Sequence, residues 1–248
     1  MKRDDDLKII AIVQARMGSE RLPGKVIMPI IGKPMILHVL DRLNKSKYID
    51  EIILATSILD KEQPLANIVS TAGYKVFRGK EDNVLKRYID TNREYGGDIV
   101  VRVTGDCPLI DPQIVDNVIS YYLMYDYDYV RLDVPDTFIR GFDVEVFSKE
   151  ALETAYKEVN KNNEEQYKEH VTLYMYRNQE KFKVGYVKGN ELYNKDYRLC
   201  IDTVEDFEVV TKVYEYFKDE FVRAKEVVEF LDRNKDIANI NAKVMQKN

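Results

Sequence analysis

Apolar residues recur along this chain in two alternating patterns. Short runs rich in Ile and Val, "LKIIAIVQA" (7–15), "EIILATS" (51–57), "YKVFR" (74–78) and "DIVVRVTGD" (98–106), suit strands buried on both faces. Between them the period lengthens. "KPMILHVLDRLNK" (33–45) puts Ile36, Leu40 and Leu43 on one stripe behind Pro34, a residue suited to a helix start. "DNVLKRYIDTNREY" (82–95) and "DPQIVDNVISYYL" (111–123) open on Asp caps. Strands separated by helices predict parallel pairing with right-handed crossovers, hence a layered α/β sandwich on a mostly parallel sheet. From about 132 to 195 the pattern loosens: "GFDVEVFS" predicts a strand, "EEQYKEHVTLYMYR" a helix and "FKVGYV" a strand, together a small inserted lobe. "YRLCIDTVEDFEVVTKVYEYF" then predicts a strand, a turn and a helix, and "AKEVVEFLDRN" a closing helix. With no repeat or linker, residues 1–248 read as one domain carrying the lobe at 132–195.

At 248 residues and 45% hydrophobic content the chain can bury a sizeable core. Its formal net charge of −5 supplies no overall basic field for nucleic acid or an anionic membrane, so a bound anion must meet a local cluster. "MKRDDDLK" is followed by only five consecutive apolar residues, too few for a signal peptide or a membrane span, which predicts a cytoplasmic protein without membrane insertion. Two cysteines, Cys107 and Cys200, cannot form a disulfide framework or a Cys-based zinc site.

In open parallel sheets ligands sit beyond the carboxyl ends of the strands. The loop there after the first strand, "QARMGSERLPGK", is no P-loop: five residues rather than four separate Gly18 from Gly24-Lys25, and Val26 replaces the Ser/Thr. No GxGxxG follows the strand either. What remains is Arg16, Arg21 and Lys25 with the Ser19 hydroxyl, a set able to hold several phosphates at once; a solvated surface loop is the competing reading. Asp106 in "VRVTGDCPLIDP" and Asp202 in "YRLCIDTVEDF" stand just past strand exits, where carboxylates suit Mg²⁺, which takes further oxygens from phosphates and water. Asp111 and Asp206 read as helix-start acids. On a helical wheel His170 shares an inward face with Tyr167, Val171 and Tyr174, whereas His38 lies beside Arg42 and Lys45 on a solvated face. The tyrosines of 121–129 and 167–176 suit a dimer surface or packing beneath the lobe.

"VQARMGSERLPGKVIMPIIGKPMI" (13–36) resembles the opening of the CTP-dependent cytidylyltransferases that activate sugar acids and related metabolites, and among them the spore coat polysaccharide biosynthesis protein F group. "ATSILDKEQPLA", "FRGKEDNVLKRY", "RGFDVEVFS" and "EHVTLYMYR" extend the likeness. The resemblance implies a Rossmann-like nucleotidyltransferase sheet in a three-layer sandwich and a homodimer. It implies nucleotide contacts at Gln14, Ala15, Arg16, Gly18, Ser19, Arg21, Lys25, Thr56, Arg78, Gly79, Asp82, Thr104 and Asp106. Metal would be held by Asp106 and Asp202, catalysis carried by these two with Arg16 and Lys25, and the acceptor met by Arg140, Asp143, Glu145 and His170. The chain departs from the family at Lys80 and Asn83, where Ser and Asp are usual, and at Thr104, where the sugar-acid enzymes carry Gln, which leaves the acceptor open. The implied reaction moves CMP from CTP to a small-molecule acceptor with release of pyrophosphate, in surface polysaccharide synthesis. Two other classes compete: a glycosyltransferase, whose Asp-x-Asp motif has one counterpart in "DYD" (126–128), and a non-catalytic nucleotide-binding protein.

Overall fold

The computed structural model describes residues 6–162 and 164–246, so most of the "MKRDDDLK" stretch lies outside the described residues. In chain order the strands are β1 (Ile9–Gln14), a minimal hairpin of β2 (Pro29–Ile30) and β3 (Lys33–Pro34), β4 (Glu51–Ser57), β5 (Lys75–Gly79), β6 (Ile99–Thr104), β7 (Tyr129–Leu132), β8 (Glu145–Ser148) and β9 (Val184–Val187). Seven of them form one sheet in the order β5-β4-β1-β6-β8-β7-β9. β1 pairs in parallel with β4 and β6, setting Val13 level with Leu54 and with Val103. β8 runs antiparallel to both β6 and β7, so the sheet is mixed at that point.

Alternation along β1 divides its side chains between two cores. Ile9, Ala11 and Val13 face α1 (Met35–Leu43), α4 (Pro112–Met124), α8 (Val204–Phe217) and α9 (Ala224–Arg233). Ile10 and Ile12 face α3 (Val84–Tyr95), α5 (Lys149–Asn162) and the short α6 (Gln166–Glu169) and α7 (Leu173–Arg177). Helices thus cover both faces, giving the three layers expected. α2 (Gln63–Thr71) and α10 (Lys235–Ala238) complete the set described.

Four local expectations are corrected. The helix expected over 164–177 is broken into α6 and α7 by His170 in an extended conformation, φ −109° and ψ 91°. The break lets Tyr167 and the 171–175 stretch enter the core while Glu169 and His170 stay exposed. The strand expected at the start of "YRLCID" is only an isolated bridge between Arg140 and Arg198, because its partners are two loops rather than one strand. α3 is capped by Asn83, whose side chain accepts from Lys86 N at 2.8 Å, and not by Asp82. The fourth concerns His38, which is buried against the Tyr214 ring at 4.6 Å with Nε2 donating to Ile30 O at 3.0 Å; burial lowers its pKa. Its neighbour Arg42 is buried as well, donating from Nε to Ile110 O (2.6 Å), from Nη1 to Glu220 O (2.7 Å) and from Nη2 to Val222 O (2.6 Å).

Arg42 therefore ties α1 to the loop before α4 and to the α8–α9 connection. Arg42→Met removes the donors of these carbonyls, and each unsatisfied buried group costs about 1–3 kcal/mol. Urea unfolding of this variant should show a loss of about 3 kcal/mol or more; a loss below about 1 kcal/mol would show that the fork does not hold the layers together.

Candidate active site

The loop after β1 is held open by its own backbone and one buried acid. Met17 O accepts from Ser19 N (3.0 Å) and Gly24 N (2.9 Å), and Met17 N donates to Glu62 Oε2 at 2.8 Å. Leu22 and Val26 anchor the loop in the core. The exit of β6 lies directly against it: Gly105 N donates to Gln14 O at 2.8 Å, and a Cβ on Gly105 would stand 2.6 Å from Ala15 Cβ. Only glycine permits that approach. Asp202 reaches the same place by a second close approach. Gly141, at φ +113°, lets the Leu199 backbone come so near that a Cβ would meet its carbonyl carbon at 2.5 Å. Leu199 N then donates to Arg140 O and Ile201 N to Asp106 O, each at 2.8 Å.

These contacts bring Asp106 and Asp202 to one cation. Lys25, almost fully buried, directs Nζ to Asp106 Oδ2 (3.0 Å), Asp202 Oδ1 (2.8 Å) and Ile201 O (2.5 Å), which occupies its three protons. The other carboxylate oxygen of Asp202 accepts from Arg21 Nη2 at 2.9 Å and from Arg198 Nη2. Burial alone would make Lys25 easier to deprotonate, but the two aspartates outweigh it and raise its pKa. Burial likewise works against ionisation of Asp202, and Lys25, Arg21 and Arg198 reverse it, holding the carboxyl below its ordinary value. Lys25 and Asp202 are thus each held in the charged form by the other.

A cleft of about 460 Å³ opens above it, lined by Gln14, Ala15, Arg16, Ser19, Arg21, Lys25, Thr104, Asp106 and Asp202, and closed by Glu169 and His170 at the break between α6 and α7. A neighbouring groove of about 640 Å³ shares Arg16 and Glu169 and is lined further by Ile58, Leu59, Lys80, Glu81 and Asp82. Gly18 lies at the edge of the α2 side, near Lys61. The remaining expected residues turn elsewhere. Thr56 is buried and its hydroxyl donates to Glu62 Oε2 at 3.1 Å, so it props the acid that holds Met17. Arg78 braces the connection after β4 through Ser57 O, Leu59 O and Gln63 Oε1, and Gly79 O accepts from Ile58 N at 2.8 Å. Arg140 lines a separate cavity with Tyr197 and Arg198. Asp143 accepts from Gly141 N at 2.7 Å, its pKa raised by burial, and Glu145 is paired with Arg102 at 2.8 Å. Of the four acceptor candidates, His170 is the one on the cleft wall, and it stands there on exposed backbone rather than on a helix face.

Several residues of the site carry no motif. Glu62, Arg198 and the exposed apolar pair Ile58 and Leu59 act only through tertiary placement, although Arg198, four residues before Asp202, has a spacing that could have drawn notice. Asp206 is more than a helix-start acid: it is buried, accepts Asp202 N at 2.9 Å and pairs with Arg198 at 3.0 Å. Cys107 and Cys200 lie beside the carboxylates in sequence and are buried, and burial raises both thiol pKa values, so they are protonated packing residues. The "DYD" acids lie at the opposite end of the sheet, before β7, where Asp126 pairs with the Lys183 ammonium and the Asp128 carboxylate accepts from Lys183 N at 2.7 Å.

A cationic loop over the exit of the central parallel strand thus faces two aspartates across a polar cleft, on an α/β fold of the nucleotidyltransferase type. Comparison with known proteins narrows the class: the chain belongs to the cytidylyltransferase family, whose profile matches residues 10–237. It is 39% identical over 243 residues to an uncharacterized protein of Methanocaldococcus jannaschii, covering 97% of each chain. It is 31% identical to the spore coat polysaccharide biosynthesis protein SpsF of Bacillus subtilis, over 93% of this chain and 96% of that one. A cytidylyltransferase structure from Leptospira borgpetersenii superposes with a TM-score of 0.88 at 32% identity, covering 98% of this chain and 100% of its own. Family membership sets aside the glycosyltransferase reading.

The two loop cations should behave differently. Arg16 is 46% exposed and pairs with Glu169 at 3.8 Å. Arg16→Ala should weaken triphosphate binding by roughly 1.5–3 kcal/mol and leave stability unchanged. Lys25→Met strands two carboxylates, so unfolding should cost about 2 kcal/mol less, under the ~3–5 of a fully buried pair because both aspartates keep some water contact. Calorimetric titration and denaturant unfolding check both; a Lys25→Met protein of unchanged stability would remove Lys25 from the centre of the cluster.

Proposed function

We propose that this cytidylyltransferase uses Mg²⁺ to move CMP from CTP to an oxygen of a sugar, a sugar acid or a related metabolite, releasing pyrophosphate, for surface polysaccharide synthesis. The observation that carries the reading is that Asp106 and Asp202 share one cation position, Lys25 Nζ, beneath a loop bearing Arg16 and Arg21. The acceptor class draws support from the similarity to a spore coat polysaccharide biosynthesis protein.

The donor set suits the metal. Carboxylate oxygens are the hard ligands Mg²⁺ prefers, and two of them already face a common cation. No group of three or more His, Cys, Asp or Glu side chains is arranged for a metal among the described residues, so phosphates and water would complete the shell. Once bound, Mg²⁺ would neutralise phosphate oxygens and make the α-phosphorus more electrophilic. The chain itself supplies position and charge. The acceptor oxygen attacks the α-phosphorus in line with the departing pyrophosphate, one P–O bond forming as the bond to the bridging oxygen breaks. A triphosphate offers the Lys25 ammonium new acceptors as it leaves the two carboxylates, and with Arg16 and Arg21 it stabilises the growing charge on pyrophosphate. The exposed Ile58 and Leu59 form an apolar wall for a planar base, and Asp82 with Lys80 offers polar groups at its edge. His170 and Glu169, on the lobe side, face the acceptor's approach. No covalent intermediate is needed, and the protonated thiols beside the site do not supply one.

The nucleotide substrate also favours a cytoplasmic protein. The exposed Met124 and Tyr125, beside the clustered rings of Tyr121 and Tyr127, favour a homodimer; Tyr129, Tyr167 and Tyr174 are buried and serve packing instead. Cell fractionation and a solution mass about twice 29.1 kDa check the two readings.

Mixing the protein with CTP, Mg²⁺ and a pool of sugars and sugar acids should release pyrophosphate. Asp106→Asn and Asp202→Asn should abolish release in folded protein, while Cys107→Ala and Cys200→Ala should leave it largely intact. CTP should bind more tightly than UTP, ATP or GTP. A purine preference or equal affinity for all four would overturn cytidylyl transfer, and an Asp202→Asn enzyme at full rate would overturn the shared metal site.

A further inference from the structure

Asp202 is held at two points. Its carboxylate Oδ2 is gripped by Arg21 and Arg198, which leaves Oδ1 turned to the cation position shared with Asp106. Its backbone N–H donates to Asp206 Oδ2 at 2.9 Å, next to the bond from Thr203 N at 3.1 Å. Arg198 and Asp206 are themselves paired, Nε to Oδ1 at 3.0 Å. One residue spans both. Asn241, 3% exposed, donates from a single amide nitrogen to Arg198 O at 2.9 Å and to Asp206 Oδ1 at 2.8 Å. It lies after α10, beyond the last residue matched by the family profile. The same segment reaches back again through Gln246 Oε1, which accepts from Arg198 Nη1 at 2.5 Å, and through Met245 O, which accepts from Arg21 Nη1 at 3.0 Å.

We infer that Asn241 is a positioning residue for Asp202, acting through Arg198 and Asp206. A buried ion pair such as Arg198–Asp206 does little for stability that apolar residues of similar size could not do. What an apolar pair could not do is aim a guanidinium fork at one oxygen of Asp202 and thereby present the other to the metal. Asn241 fixes the rotation of that fork by holding the backbone of Arg198 and the carboxylate of Asp206 on one nitrogen. Partners one step removed from a metal site typically change metal affinity or activity 10–100-fold when lost.

The inference rests on the proposed Mg²⁺-dependent transfer, and the test separates the two. Asn241→Ala is assayed well below its own unfolding midpoint, beside Lys243→Ala, an exposed change in the same segment. Asn241→Ala should lower kcat about tenfold, raise the Mg²⁺ concentration for half-maximal rate about tenfold and weaken Mn²⁺ binding to the CTP complex about tenfold in an electron paramagnetic resonance titration, with KM for CTP within about twofold. Lys243→Ala should match the wild type in all four. Should Asn241→Ala fail to fold, Arg198→Lys, which keeps the charge beside Asp206 but loses the fork, should show the same shift in Mg²⁺ requirement. Wild-type kcat and Mg²⁺ requirement in the variant tested overturn the positioning role, whatever its melting temperature. A wild-type protein that releases no pyrophosphate from CTP overturns the underlying reading instead.

Discussion

The ammonium of Lys25, closed on all three protons by Asp106, Asp202 and Ile201 O, is the interaction on which the rest of the site depends. Two carboxylates beside each other repel, and the buried ammonium between them offsets that repulsion and lowers the pKa of Asp202. To reach that ammonium, the chain must bring the exit of β6 against the exit of β1 and lay the 199–202 segment across both. Gly105 and Gly141 are the two places where a side chain would forbid that, and Ile201 N to Asp106 O is the bond that sets the spacing. The sheet serves this junction by delivering the exits of β1 and β6 side by side at its carboxyl end, where the 199–202 loop meets them.

Charge is then distributed so that each part of a nucleoside triphosphate would meet its counterpart. The buried cation and the two aspartates lie deepest, Arg21 is shared between Asp202 and the C-terminal segment, and Arg16 stands exposed between cleft and groove. A protein of net charge −5 thereby gathers positive charge where a polyanion would bind. Behind Asp202 the chain of Arg198, Asp206 and Asn241 converts the packing of α8 and the segment after α10 into the orientation of one carboxylate.

What could be read in the sequence was whatever depends on local period or on unusual residue density. The apolar run of β1 and the crowding of Arg16, Ser19, Arg21 and Lys25 behind it are local signals, and the structure brings all four to one cleft. Asp106 and Asp202 stood out by their places after apolar runs, yet the latter run is not a strand: an extended segment bonded to two loops has the same residue pattern as one in a sheet. The burial of His38 and Arg42 is invisible to the periodicity of α1, because the segment that covers them, around Glu220 and Val222, arrives from far along the chain. Thr56, Arg78 and Glu145 have the polarity of ligand contacts, but partners close at hand in the fold claim them. Asn241 has no local signature, since its role is defined wholly by two residues it meets in space.

In the proposed mechanism Asp106 and Asp202 hold a divalent cation where Lys25 now sits, while Lys25 turns to the triphosphate. A crystal structure with CTP and Mn²⁺, read by the anomalous signal of the metal, should show the metal peak between the two carboxylates, with Lys25 Nζ moved onto phosphate oxygen. A triphosphate bound with Lys25 still seated between Asp106 and Asp202, and the metal elsewhere, would contradict it.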